Sequence, residues 1–174
     1  FIKAWHTPLT VANFLFLGMA SGFMLAAALY AYMGTNLVAF YGTWAVVATT
    51  LGAISRGSSL YRNSKFRCKV DMQSAIGVHH SQLHQKAQGF MGGSFNTREF
   101  FHGKSDGFLL MIRYIFLLMV FVLPVLMILF AYLSESVRLP IAAFAIQYIG
   151  LILERYYFFT EAKHPQNLYY QSMA

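Results

Sequence analysis

Cysteine is nearly absent from this chain: Cys68 stands alone among 174 residues. One thiol forms no disulfide framework and no Cys-x-x-Cys pair, so an iron–sulfur cluster held by the chain's own cysteines is excluded. Charge is scarce as well, at 11%, less than half of the usual share in a soluble domain. There is no Gly-x-Ser-x-Gly, no phosphate-binding loop and no pair of carboxylates outside the apolar segments, which leaves nucleophilic catalysis and nucleotide binding without support. The start, Phe1-Ile2-Lys3, lacks an initiator Met, a charged n-region and a cleavage site, and reads as a window cut from a longer protein.

Apolar residues make up 57% of the chain, arranged in runs long enough to cross a bilayer. The expected fold is all-α, a polytopic membrane bundle of four transmembrane helices in two hairpins joined by a long basic loop. The spans are expected at residues 8–33, 37–55, 108–133 and 139–159, with a loop at 56–107 and a tail at 160–174, all one membrane domain. Thr7 and Pro8 suit the start of the first span, because a proline at the first helical turn loses no hydrogen bond. Gly18, Gly22 and Ala26 form a small-residue stripe that lets another helix approach closely. Gly34-Thr35-Asn36 reads as a turn, and Tyr41 and Trp44 suit an aromatic belt. Pro124 falls inside the third span, where it should kink the axis.

Eight of the thirteen Lys and Arg residues, and four of the six histidines, lie between Arg56 and Lys104. The turn at 34–36 has no basic residue, and that at 134–138 has only Arg138. The positive-inside rule therefore puts the long loop and the C-terminus in the cytoplasm. The net charge of +7 is explained by this clustering; no repeated aromatic-basic platform suggests nucleic acid.

Few residues are candidates for chemistry. Arg113 and Glu154 lie at similar depth on helices joined by one turn, and an ionised group at that depth needs a partner. They are expected to form an intramembrane ion pair, with Gln147 extending a polar seam seven residues earlier. Arg155 is expected to snorkel to the interface. All six histidines, including His6 and His164, lie outside the spans, so these helices hold no transmembrane b-type haem. His79, His80 and His84 lack the companions of a metal site. Residues 89–103 combine glycine, aromatic and basic residues, and Phe90, Phe95, Arg98, Phe100, Phe101 and His102 are candidate anchors for a peripheral partner.

Several stretches resemble the membrane anchors of DMSO-reductase-type molybdenum enzymes, the DmsC-like anchors. They are Ala4-Trp5-His6-Thr7-Pro8, Gln73-Ser74-Ala75-Ile76-Gly77-Val78, residues 85–103, Leu153-Glu154-Arg155-Tyr156-Tyr157-Phe158-Phe159, and His164-Pro165-Gln166-Asn167-Leu168-Tyr169-Tyr170-Gln171. Anchors of this kind have eight spans, so the resemblance implies the C-terminal four. It also implies a complex: a molybdopterin catalytic subunit, an iron–sulfur subunit, and an anchor that exchanges electrons with membrane quinone in a bacterial inner membrane. Such an anchor carries no haem or metal of its own, and no catalytic residue is carried over. The loop is most similar to the anchors of cytoplasmic sulfite-oxidising enzymes. The expectation is a non-catalytic or quinone-reactive subunit, with sulfite oxidation or DMSO-type reduction as the reaction of the whole. A helix-bundle transporter or channel is the alternative, disfavoured because the ionisable groups gather at one end of the helices. A scaffold without quinone contact is a third reading.

Overall fold

A computed structural model describes residues 5–65 and 106–161, and all of the regular structure there is helical. Helix α1 is Pro8–Tyr32 and α2 is Val38–Ser64. The third rod consists of α3 at Asp106–Leu117, a π-helical turn at Leu118–Val122 and α4 at Leu123–Ser134. Helix α5 is Arg138–Glu161. Three rods, Pro8–Tyr32, Val38–Ser64 and Gly107–Ser134, are long and apolar enough to cross a membrane. The fourth expected span is also one helix, but it carries Gln147, Glu154, Arg155 and Glu161 and is not among those three.

Local chemistry sets the helix ends. Thr7 occupies the cap position of α1 with extended backbone and Pro8 follows it, although the Thr7 hydroxyl lies 3.4 Å from that of Thr10 and caps nothing. Gly34 turns the chain with a φ of 67°, a value open to glycine without a Cβ penalty. Helix α4 ends on Glu135 in the left-handed region, with φ 49°.

The second helix does not stop at residue 55. It runs on through Arg56 to Ser64, so the expected loop boundary at 56 is corrected. A single glycine, Gly57, and no proline lie in those added turns, and Arg56 is 1% exposed. A charge that reads as a helix terminus instead points into the bundle.

The rods form a square. Helix α1 packs on α2 and α5, and the α3–α4 rod packs on α5 and α2. That leaves α2 and α5 facing each other across the bundle axis. Large apolar residues such as Val11, Leu15, Leu29, Phe130, Leu133 and Ile152 face outward, while Arg56, Gln147 and Glu154 are fully buried. This distribution, polar inside and apolar outside, suits a bundle surrounded by lipid. Gly18 and Gly22 also face outward, with nothing within 4 Å of a built Cβ. The stripe thus receives no helix among the described residues.

The third rod departs from α geometry for a reason visible in its sequence. Five of its six buried positions among the described residues, Ile112, Phe116, Val120, Pro124 and Ile128, recur every four residues, with Ala131 three beyond the last. A regular α-helix would rotate such a row off its face by about 40° at each step. The π turn, closed by the Leu123 N–H to the Leu118 carbonyl, unwinds the rod and holds the row inward. Pro124 has no N–H to give the carbonyl of Val120, four residues earlier. Gln147 supplies the missing donor: its Nε2 lies 3.3 Å from Val120 O and 3.1 Å from Thr49 Oγ1. Gly150, one turn along, lets α5 approach this turn, since a Cβ there would sit 2.8 Å from Met119 Cβ.

Candidate functional site

Helices α2 and α5 run in the same direction and present polar side chains at matching intervals. Thr49, Arg56 and Asn63 follow one another by seven residues on α2; Gln147, Glu154 and Glu161 do so on α5. Seven residues is close to two helical turns, so each set lies on one face. The rungs meet in register: Gln147 donates to Thr49 98 residues away, Arg56 pairs with Glu154, and the Asn63 side chain faces Glu161. The result is a polar ladder along the bundle axis, from mid-helix to the end where residues 66–105 connect the two hairpins. Between the first two rungs lies an apolar layer, where Leu17 packs 3.1 Å from the Cβ position of Gly52 with Phe121 beside it.

The middle rung carries most of the charge. Arg56 Nε lies 2.7 Å from Glu154 Oε1, with both side chains 1% exposed. The other Glu154 oxygen, Oε2, is 2.8 Å from Arg155 Nε. Arg56 Nη2 reaches Glu161 Oε2 at 3.5 Å. Aromatic rings enclose these guanidiniums: Phe116 and Phe158 beside Arg56 at 5.8 and 5.7 Å, and Phe14 beneath Arg155 at 3.9 Å. Trp5 stacks on Phe158 at 5.4 Å and closes the α1 side. Arg113 approaches from the third rod and acts on both Tyr157 and Glu161. On the α1–α2 seam, Asn13 Nδ2 donates to Ser59 Oγ at 2.8 Å.

The expected Arg113–Glu154 pair is not the one formed. Glu154 spends both oxygens on Arg56 and Arg155, and Arg113 lies instead by Tyr157 and Glu161. The physical reason is the added length of α2, which brings Arg56 to the depth of Glu154. Arg155 does not leave for the interface either; it is 26% exposed and tied to Glu154. Gln147 extends the seam from Glu154, and both are buried. The expected docking residues Phe90, Phe95, Arg98, Phe100, Phe101 and His102 lie outside the described residues. Among the described residues no group of three or more His, Cys, Asp or Glu could hold a metal ion.

Sequence reasoning missed Arg56 and its rung. The signal was the seven-residue repeat of Thr49, Arg56 and Asn63, the same interval as Gln147, Glu154 and Glu161.

Chemically, the cluster sets three guanidiniums against two carboxylates, with Arg56 and Glu154 shielded from bulk solvent. Such a constellation fixes helix register, and it concentrates positive potential at one end of the bundle.

No family model matches the chain, and no solved structure matches it. Over its whole length it is 59% identical to a sulfite dehydrogenase subunit of Allochromatium vinosum, covering 54% of that protein. The chain thus spans about half the length of the curated relative it matches.

Proposed function

We propose that this chain is part of the membrane subunit of an oxidoreductase complex of the sulfite-dehydrogenase kind. The observation that carries the reading is the 59% identity over 174 residues to a protein named as a subunit of such an enzyme. The inside-out bundle supports it, with three rods long and apolar enough to cross a membrane. In this reading α5 crosses as the fourth span, its charged end stabilised by the rungs on α2. The chain then corresponds to half of a DmsC-like anchor in a bacterial inner membrane. The basic connector and the C-terminus face the cytoplasm in this reading, the side that the asymmetry of Lys and Arg favours.

The partners in this proposal are an iron–sulfur subunit and a molybdopterin catalytic subunit, docked on the arginine-rich end. Phe90, Phe95, Arg98, Phe100, Phe101 and His102 are the proposed anchors. The membrane subunit binds no metal itself and brings quinone to within reach of the iron–sulfur partner, so that electrons pass between sulfite and quinone. The whole protein should be purified from native membranes under mild detergent. Two soluble subunits, iron and molybdenum should copurify with it, and sulfite should reduce a quinone analogue. Recovery of a lone membrane protein with solute flux would replace this reading by a transporter.

A further inference from the structure

Around the two loop-side rungs of the ladder, several buried polar atoms have no protein hydrogen-bond partner among the described residues. They are Asn13 Oδ1, Ser55 Oγ, Asn63 Oδ1 and Arg113 Nε, while Arg56 Nη2 has only its 3.5 Å ion pair with Glu161 Oε2. Asn13, Ser55 and Arg56 are at least nine-tenths buried. The atoms come from three rods and gather about one stretch of the axis: Asn13 is bonded to Ser59, one turn from Ser55, and Arg56 reaches Glu161, which Asn63 also faces. An isolated buried acceptor or donor costs about 1–3 kcal/mol, whereas a buried water makes roughly three hydrogen bonds to such groups. Both acceptors and a guanidinium donor are present, which is the mixture a bridging water needs.

Beyond the Leu17–Phe121 layer Gln147 Oε1 is the one such atom among the described residues, and past it the interior is apolar. Met24, Ala45, Ile128 and Ala143 form an apolar cluster in which Met24 is 0% exposed. Between the two regions Leu17 and Phe121 fill the space over Gly52.

We propose that the loop-side half of the bundle axis is a hydrated polar column, in which ordered water bridges Asn13, Ser55, Arg56 and Asn63 as far as the Leu17–Phe121 layer. The column gives water, and with it protons, a route from the loop end to the depth of Glu154. Its use rests on the function proposed above, since a quinone reduced in the membrane takes up one proton for each electron. The hydration itself does not depend on that reading.

The test is hydroxyl-radical footprinting of the full-length protein in its native complex in lipid nanodiscs, where radicals form from water beside the side chain they attack. Phe116 is 0% exposed and lies against Arg56; Met24 is equally buried and intrinsically the more reactive side chain. The expected result is that Phe116 is oxidised several-fold faster than Met24. Ser55→Leu, which fills the column, should bring Phe116 down to the rate of Met24 and leave Met24 unchanged. A wild-type protein in which Phe116 is as inert as Met24 overturns the proposal, whether or not the variant folds. A wet column in a protein that copurifies without iron or molybdenum would leave the hydration standing and remove its link to quinone.

Discussion

Arg56 and Glu154 meet at 2.7 Å although their helices lie diagonally across the bundle. The two long side chains bridge the axis and tie opposite corners of the square. Taking either charge away leaves the other buried with one counterion fewer, Glu161 alone for Arg56 or Arg155 alone for Glu154, and breaking a buried pair costs up to about 3–5 kcal/mol. Glu154→Gln should therefore lower the thermal stability of the purified protein strongly, and Arg56→Met/Glu154→Leu should be closer to wild type than either single variant. Wild-type melting of Glu154→Gln would show that the pair contributes nothing.

The amide of Gln147 stands in for the N–H that Pro124 lacks. Gln147→Leu should cost about 1–2 kcal/mol by leaving the Val120 carbonyl and the Thr49 hydroxyl without their bond. Pro124→Ala restores a backbone donor to Val120. The two substitutions should then be coupled, Gln147→Leu costing less in the Pro124→Ala background, as read from a double-mutant cycle of unfolding free energies. Strict additivity would break the link between the two residues.

Glycines on the two sides of the bundle should respond in opposite ways. At Gly150 a Cβ meets Met119 and Val120 at 2.8 and 2.9 Å, and overpacking of this kind costs about 1–3 kcal/mol. At Gly22 it meets open space. Gly150→Ala should be visibly destabilised in a denaturation assay and Gly22→Ala should not, when both are measured in the same detergent.

Arg155 combines an ion pair with a ring face, its guanidinium 3.9 Å over Phe14. Lysine keeps the charge and loses the planar stack. Arg155→Lys should retain most of the stability lost in Arg155→Ala, yet fall short of wild type by about 0.5–1 kcal/mol. Equal stability of the lysine variant and wild type would mean that charge alone matters there.

Much of the architecture is legible in the residues. Pro8 marks a helix start, Gly34 marks the tight turn, and the apolar runs give the rods. The end of α2 is not, because Arg56 resembles a terminus when read by its charge alone. Its burial is decided by Glu154, 98 positions away, and hydropathy along one helix carries no such information. The π turn is half visible: Pro124 announces a disturbed helix, but only the facing Gln147 shows how the freed carbonyl is satisfied. The partner of Glu154 is hidden for a related reason. Closeness in sequence favours pairing between helices joined by a turn, whereas the ladder joins helices that are distant in sequence and diagonal in space.

The constant offset between rungs separates two kinds of length change. Adding or removing residues within 66–105 would shift the numbering of every α5 rung together and leave the rungs opposite one another. One residue inserted between Thr49 and Asn63 would turn the remainder of α2 by about 100° and carry the later rungs away from their mates. The ladder therefore sets no limit on the length of the connector, while the interval from residue 49 to 63 is held fixed by its counterpart across the axis.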